Sequence, residues 1–335
     1  MMNKNSGEYI ATREAYGQAL ARLGTKYPEL VVLDADLSGS TKTADFAAVC
    51  PERFFNAGIA EQNMAGIAAG LAAEGKIVFI SSFAVFATGR AFEQIRNSIA
   101  YPRLNVKIAA THAGITVGED GGSHQAIEDI GLMRLLPGMT VIVPADAVEA
   151  RQAVAVAAAH QGPVYLRLGR LATPQVNADD YTFRLRHGVL LRPGRDLVIF
   201  ANGMMVAAAL DAAALLSAEG IETAVANIHT VKPLDKEFII NLAASCRAVL
   251  TVEEHSIIGG LGSAVAEVLA EECPVPLTRI GIADTFGQSG KPGELLAAYG
   301  LTPEQIAAKA RQLVLKSELR TQRSDFKFFA DQEAN

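Results

Sequence analysis

Short runs of aliphatic and β-branched residues alternate along the chain with longer, alanine-rich stretches. That order predicts strands joined by covering helices rather than by hairpins. Leu30–Leu33, Ile77–Ile80, Val106–Ala109 and Val141–Val143 are apolar almost throughout, as strands buried on both faces of a parallel sheet must be. Helical stretches fit between them at Thr12–Leu23, Gln62–Ala73, Arg90–Ile99, Ile127–Met133 and Ala147–His160. With a further strand at Val164–Leu168, these elements make one doubly wound domain ending near Leu171.

The polar, turn-rich segment Thr173–Asp180 then reads as a linker. A second α/β series follows, with strands at Leu197–Phe200, Glu222–Asn227, Ala248–Val252 and Leu277–Ile280 and helices at Met205–Ala218, Asp235–Ala244 and Gly262–Ala270. The expected fold class is therefore α/β with two doubly wound sheet domains, the first mainly parallel. Their expected bounds are residues 8–172 and 191–315, with a linker at 173–190. The charged tail, residues 316–335, has no periodic pattern and is expected to be disordered, although Phe326, Phe328 and Phe329 could dock on a partner.

Composition narrows the function classes. The 335 residues suffice for two ordinary domains; half are hydrophobic, and the net charge of -6 is spread without an acidic or basic block. Nucleic acid and anionic membranes are thus poor partners, and small-molecule chemistry is the better expectation. Cys50, Cys246 and Cys273 are widely separated and lack metal-ligand spacing, so they read as reduced thiols and no metal site is expected. The polar start Met1–Ser6 has no signal-peptide design and no apolar run reaches about 18 residues, which points to the cytoplasm.

Chemistry concentrates in a few segments. Gly58-Ile-Ala-Glu-Gln-Asn-Met64 seats Glu61 at the head of a small, apolar helix whose Gly66 and Gly70 invite a close neighbour. A carboxylate in such a dry place is expected to have a raised pKa; the plainer reading is a first-turn acid answering the helix dipole. Phe83 and Phe86, just past a strand, could face a flat heterocycle or simply be core. The loop Thr111–Gln125 carries His112, Asp120 and His124 among glycines, a combination hard to ascribe to packing. Asp34–Ser40 closes a strand with two acids and two hydroxyls, Asp36 and Ser40 among them, while Arg13 and Arg170 sit near a helix start and a strand end. In the second domain, Glu253–Gly262 places glycines at a strand-to-helix turn that could bind an anion, although close helix packing needs the same glycines.

Together these segments resemble the transketolase family of thiamine diphosphate enzymes over about residues 8–315. By that resemblance the first domain is the pyrimidine-binding domain and the second the transketolase C-terminal domain. Glu61 would hydrogen-bond N1′ of the aminopyrimidine, Phe83 and Phe86 would form the pocket around that ring, and Asp36 would lie beside the thiazolium. Asp120 and His124 would read substrate hydroxyls, with His124 assisting bond cleavage; Arg13, Ser40, His112 and Arg170 would clasp a distal phosphate. Two departures stand out. Ala60-Glu61-Gln62 replaces the common Arg-Glu-His, and the Gly-Asp-Gly motif of the domain that binds the Mg²⁺-diphosphate does not occur. The resemblance therefore implies one half of a split, two-subunit transketolase. A separate N-terminal subunit would supply the diphosphate and Mg²⁺ site, in an α2β2 assembly with a homodimeric contact of this chain. Two alternatives are a β subunit of a 2-oxo acid dehydrogenase E1, which would have little use for the phosphate clasp, and a non-catalytic regulatory module.

Overall fold

The computed structural model describes residues 9–333, and the side chains of Phe326, Phe328 and Phe329 lie outside what it describes. A seven-stranded sheet forms the first layer system. Across it run Thr230–Lys232, Thr140–Ile142, Val164–Arg167, Val106–Ala110, Ile77–Ser81, Leu30–Asp34 and Phe54–Asn56. All neighbours are parallel except the edge strand Thr230–Lys232, which runs antiparallel to Thr140–Ile142.

The strand period sorts the apolar residues to two faces. Val31, Leu33, Val78 and Ile80 join the core beneath the helix Glu61–Ala73, while Leu30, Val32, Ile77 and Phe79 join the one beneath Thr12–Lys26. Covering both faces explains why these strands are apolar throughout rather than alternating.

The second sheet orders Leu277–Ile282, Val249–Ser256, Leu197–Ala201, Thr223–Asn227 and Val189–Arg192, the last antiparallel. It too is covered on both sides, Ile199 facing one core and Phe200 the other.

Four local features differ from the expected pattern. The stretch expected as one helix over Arg90–Ile99 is instead two π turns, Phe86–Arg90 and Ile95–Ala100, around a short α segment. Gly89 weakens the regular helix there, and the Thr88 hydroxyl bonds back to the Ala84 carbonyl at 2.7 Å. The edge strands Phe54–Asn56, Val189–Arg192 and Thr230–Lys232 are too short to leave a pattern, and Thr230–Lys232 takes a segment of the second sequence domain into the first sheet. The linker is pinned, because Asp146 Oδ2 accepts from the amides of Val176 and Asn177, both at 2.8 Å. Finally, the segment expected to be a disordered tail is helical as far as Glu333, in one helix that begins at Pro303. That stretch holds no glycine, and its one proline is at the first position, where it is tolerated.

Candidate active site

The residues singled out from sequence gather at the C-terminal ends of the parallel strands, where open α/β sheets bind ligands. Glu61 opens the helix Glu61–Ala73 and is only 4% exposed. Its Oε1 lies 3.1 Å from the half-exposed guanidinium of Arg90. Arg90 closes the π turn Phe86–Arg90, stands 4.0 Å over the Phe86 ring, and has its carbonyl fixed by Gln62 Nε2 at 3.0 Å.

Rings continue the cluster inward. Phe83 stacks on Phe86 at 5.9 Å and 17°, and on its other neighbour His112 at 3.8 Å and 24°. His124 meets both phenylalanines edge-on, 5.2 Å from Phe86 and 6.4 Å from Phe83. A bridge between Phe83 and Thr111 aligns the two loops, and Thr111 Oγ1 lies 2.9 Å from His112 Nδ1.

His112 is buried and held at φ 58°, a left-handed backbone that costs a non-glycine residue free energy. Burial, then the charges of Arg13, Arg170 and His124, push its pKa down to about 3. It is thus a neutral hydrogen-bonding ring near neutral pH rather than a cation. Arg13 donates to the Ser40 carbonyl at 2.9 Å, so Ser40 holds the arginine through its backbone, and the buried Arg13 Nε has no partner. Burial lowers the Arg13 pKa, with Arg170 adding to the shift. Arg170 donates to the Val117 carbonyl and pairs with Asp120 at 3.6 Å. The structure therefore joins a residue expected to read a hydroxyl to one expected to grip a phosphate.

Asp36 is exposed, at φ 65°, and accepts from Asn56 Nδ2 at 2.8 Å. Behind it the buried Asp34 ties the turn together, accepting from the Leu37 amide and from the hydroxyls of Thr41 at 2.7 Å and Thr43 at 2.9 Å. Burial raises its pKa.

The Glu253–Gly262 turn binds an anion of its own. The amides of Leu261 and Gly262 each donate to the Glu253 carboxylate at 2.7 Å, so the head of the helix Leu261–Glu272 is filled from within. A Cβ at Gly260 would fall 2.0 Å from Glu253 Oε2, which is why a glycine stands there. Sequence reasoning also passed over two supports of the site loop. Glu254 Oε1 accepts from the Thr116 amide at 2.6 Å, and Gln125 Nε2 donates to the carbonyls of Ile115 at 3.1 Å and Gln288 at 3.0 Å. Arg90 was missed as well; its contacts with Glu61, 29 residues away, leave no local signature.

A carboxylate-headed helix beside stacked rings thus sits on the first of two doubly wound domains, which is joined to a smaller C-terminal sheet domain. The family model described as "Transketolase, pyrimidine binding domain" matches residues 8–175, and "Transketolase, C-terminal domain" matches residues 186–306. The chain belongs to the transketolase family. It is 54% identical over 318 residues to a chain of Methanocaldococcus jannaschii described as a transketolase C-terminal section, covering 94% of this chain and 100% of that one. It is 44% identical to the 6-deoxy-6-sulfo-D-fructose transketolase subunit SqwH of Clostridium sp. (strain MSTE9), over 92% of this chain and 96% of that one. Among solved structures, a split-gene transketolase described as an inactive β4 tetramer is 57% identical with a TM-score of 0.85, covering 92% of this chain and 98% of that one.

Proposed function

We propose that this chain is the C-terminal subunit of a two-chain transketolase. It moves a two-carbon ketol unit from a ketose phosphate to an aldose phosphate, with thiamine diphosphate as cofactor. The cluster of Glu61, Phe83, Phe86, His112 and His124 beside Arg13 and Arg170 carries this reading. These residues fit the aminopyrimidine half of the cofactor: a buried carboxylate for N1′ and two rings to flank a flat heterocycle. When bound, the cofactor supplies the carbon centre that carries the two-carbon unit between donor and acceptor.

Each side chain then has a stated task. Glu61 would hydrogen-bond N1′ and hold the proton there, with Arg90, half exposed, as its ion-pair partner in this structure. His124 moves a proton at the substrate hydroxyl, and Asp120 holds the acceptor's 2-hydroxyl. Arg13, Arg170 and neutral His112 grip the far anionic end, with the partnerless Arg13 Nε as a ready donor. Asp36 would hold the thiazolium half of the cofactor. The diphosphate and its Mg²⁺ belong to a separate N-terminal subunit.

That subunit and a second copy of this chain, in an α2β2 assembly, would also cover the outer stripe of the Glu61 helix. Gln62, Asn63, Gly66, Ile67 and Gly70 are exposed there, and no atom lies within 4 Å of a Cβ built at Gly66 or Gly70. An anionic sugar end of either kind suits the arginine pair, so a sulfonated ketose is a second donor to test, as the name of the Clostridium relative suggests. The test is to combine the purified chain with its N-terminal subunit and assay a panel of ketose phosphates and 6-deoxy-6-sulfofructose. Two-carbon transfer by the pair is expected. Decarboxylation of 2-oxo acids without ketol transfer would reassign the chain as an E1 β subunit.

A further inference from the structure

At the opposite end of the first sheet is a cavity that the reaction does not use. Candidate site residues follow the strands Ile77–Ser81, Val106–Ala110 and Val164–Arg167, whereas Arg103, Gly138 and Gly162 precede Val106–Ala110, Thr140–Ile142 and Val164–Arg167. The cavity there measures about 470 Å³ and is lined by Arg103, His160, Arg186 and Lys232 among others, with no carboxylate in its wall. Three parts of the chain build it: the first sheet, the linker through Arg186, and the second domain through Lys232.

Its charge is unbalanced. Among the described residues no carboxylate lies within ion-pair distance of Arg103, Lys107, Arg186 or Lys232. Lys107, fully buried beside the cavity, donates to the carbonyls of His160 at 2.7 Å and Gly162 at 2.6 Å, and Lys232 donates to those of Arg134 and Leu136, both at 2.6 Å. Lys232 is thus a fixed cation in the cavity wall, while Lys107 is anchored behind it by the carbonyls of two residues of that wall. Arg103 and Arg186 are exposed and stand at φ 58° and 72°, left-handed conformations that non-glycine residues adopt at a cost.

Burial pushes the Lys107 pKa down to about 7, and His160 is lowered by burial and by Lys107 and Arg186, with no acid acting in the other direction. Two forked guanidinium groups in the wall of a cavity that also holds the anchored Lys232 suit a tetrahedral anion. A ligand there would bridge the first sheet, the linker and the second domain.

We propose that this cavity is a second anion site, separate from the active site, that takes a phosphate group, either free or as a small phosphate ester. The test uses the full chain at constant ionic strength, titrated calorimetrically with inorganic phosphate and, separately, with glycerol 3-phosphate. An Arg13→Ala/Arg170→Ala background silences the other candidate phosphate site. Binding should persist in that background and weaken about tenfold or more per arginine when Arg103→Ala and Arg186→Ala are added. Arg103→Lys/Arg186→Lys should fall between, since charge is kept and the fork lost. Tighter binding of glycerol 3-phosphate than of inorganic phosphate identifies an ester as the ligand, and the reverse identifies free phosphate. In the same background, the His160 ring resonance should move its titration midpoint upward on adding phosphate. Loss of all binding in the Arg13→Ala/Arg170→Ala chain, or binding that survives Arg103→Ala/Arg186→Ala undiminished, would overturn the proposal.

Discussion

At the scale of single residues the proposed function divides the candidate site into a proton-handling half and an anion-holding half, and each half has its own test. Glu61→Gln keeps the shape of the helix head and removes the carboxylate. With the N-terminal subunit present, turnover should fall by about 10²–10⁴-fold, the scale of a lost general acid or base, while the melting temperature barely moves. Wild-type turnover in that variant would refute the role assigned to Glu61. In the other half, Arg13→Ala or Arg170→Ala should cost about 1.5–3 kcal/mol in kcat/KM on a phosphorylated acceptor and much less on its unphosphorylated analogue. Equal losses on both acceptors would mark the arginines as structural. These residues were legible in the sequence because packing does not ask for a charged, glycine-rich loop or for an acid heading an alanine helix. Two things were not legible. Arg90 reaches Glu61 only through the fold, and the neutrality of His112 depends on burial and on two arginines distant in the chain.

At the scale of elements, buried acids set the joints. Glu253 caps the helix Leu261–Glu272, Glu254 reaches across to the Thr116 amide in the site loop, and Glu149 gathers the Ala145 amide, Asn227 Nδ2 and the Tyr181 hydroxyl. Glu149 therefore ties a helix of the first domain to the linker and to a strand of the second. Burial raises its pKa from 4.5 to about 7 despite these hydrogen bonds. A folded-state pKa above the unfolded one means the native state holds the proton more tightly. The contribution of Glu149 is then fully present below about pH 4.5 and is lost as pH rises through about 7. Relative to Glu149→Gln, the wild-type chain should lose up to about 3 kcal/mol of unfolding free energy between those two pH values. Denaturant melts of both proteins at several pH values measure the difference; parallel pH profiles would remove Glu149 as the source. The long strands and helices of this level were readable from apolar runs. The joints were not, because a buried acid looks like any surface acid until its partners are known, and edge strands of three residues carry no period.

At the scale of the whole molecule the proposed two-chain assembly puts the outer stripe of the Glu61 helix to the test. Gly66 and Gly70 were expected to admit a close neighbour, and within the single chain no atom beyond the helix's own nearby backbone lies within 4 Å of a Cβ at either position. Glycine in a helix interior costs about 0.8–1 kcal/mol relative to alanine, so two exposed glycines weaken the helix with no gain inside the chain. In the proposed assembly a second polypeptide packing close to the backbone would supply that gain. The prediction is a divergence of two measurements on Gly66→Leu. Because the added side chain meets open space, the isolated subunit should keep its fold and gain up to about 1 kcal/mol of stability from helix propensity. The same side chain should block close approach, so co-purification with the N-terminal subunit, or self-association of this chain, should weaken and ketol transfer by the mixture should fall with it. Calorimetric unfolding of the variant and sedimentation of the mixture give the two readouts. Intact assembly and full activity in a stabilised Gly66→Leu chain would mean that this face is solvent-exposed in the working enzyme and that the site is completed from another side.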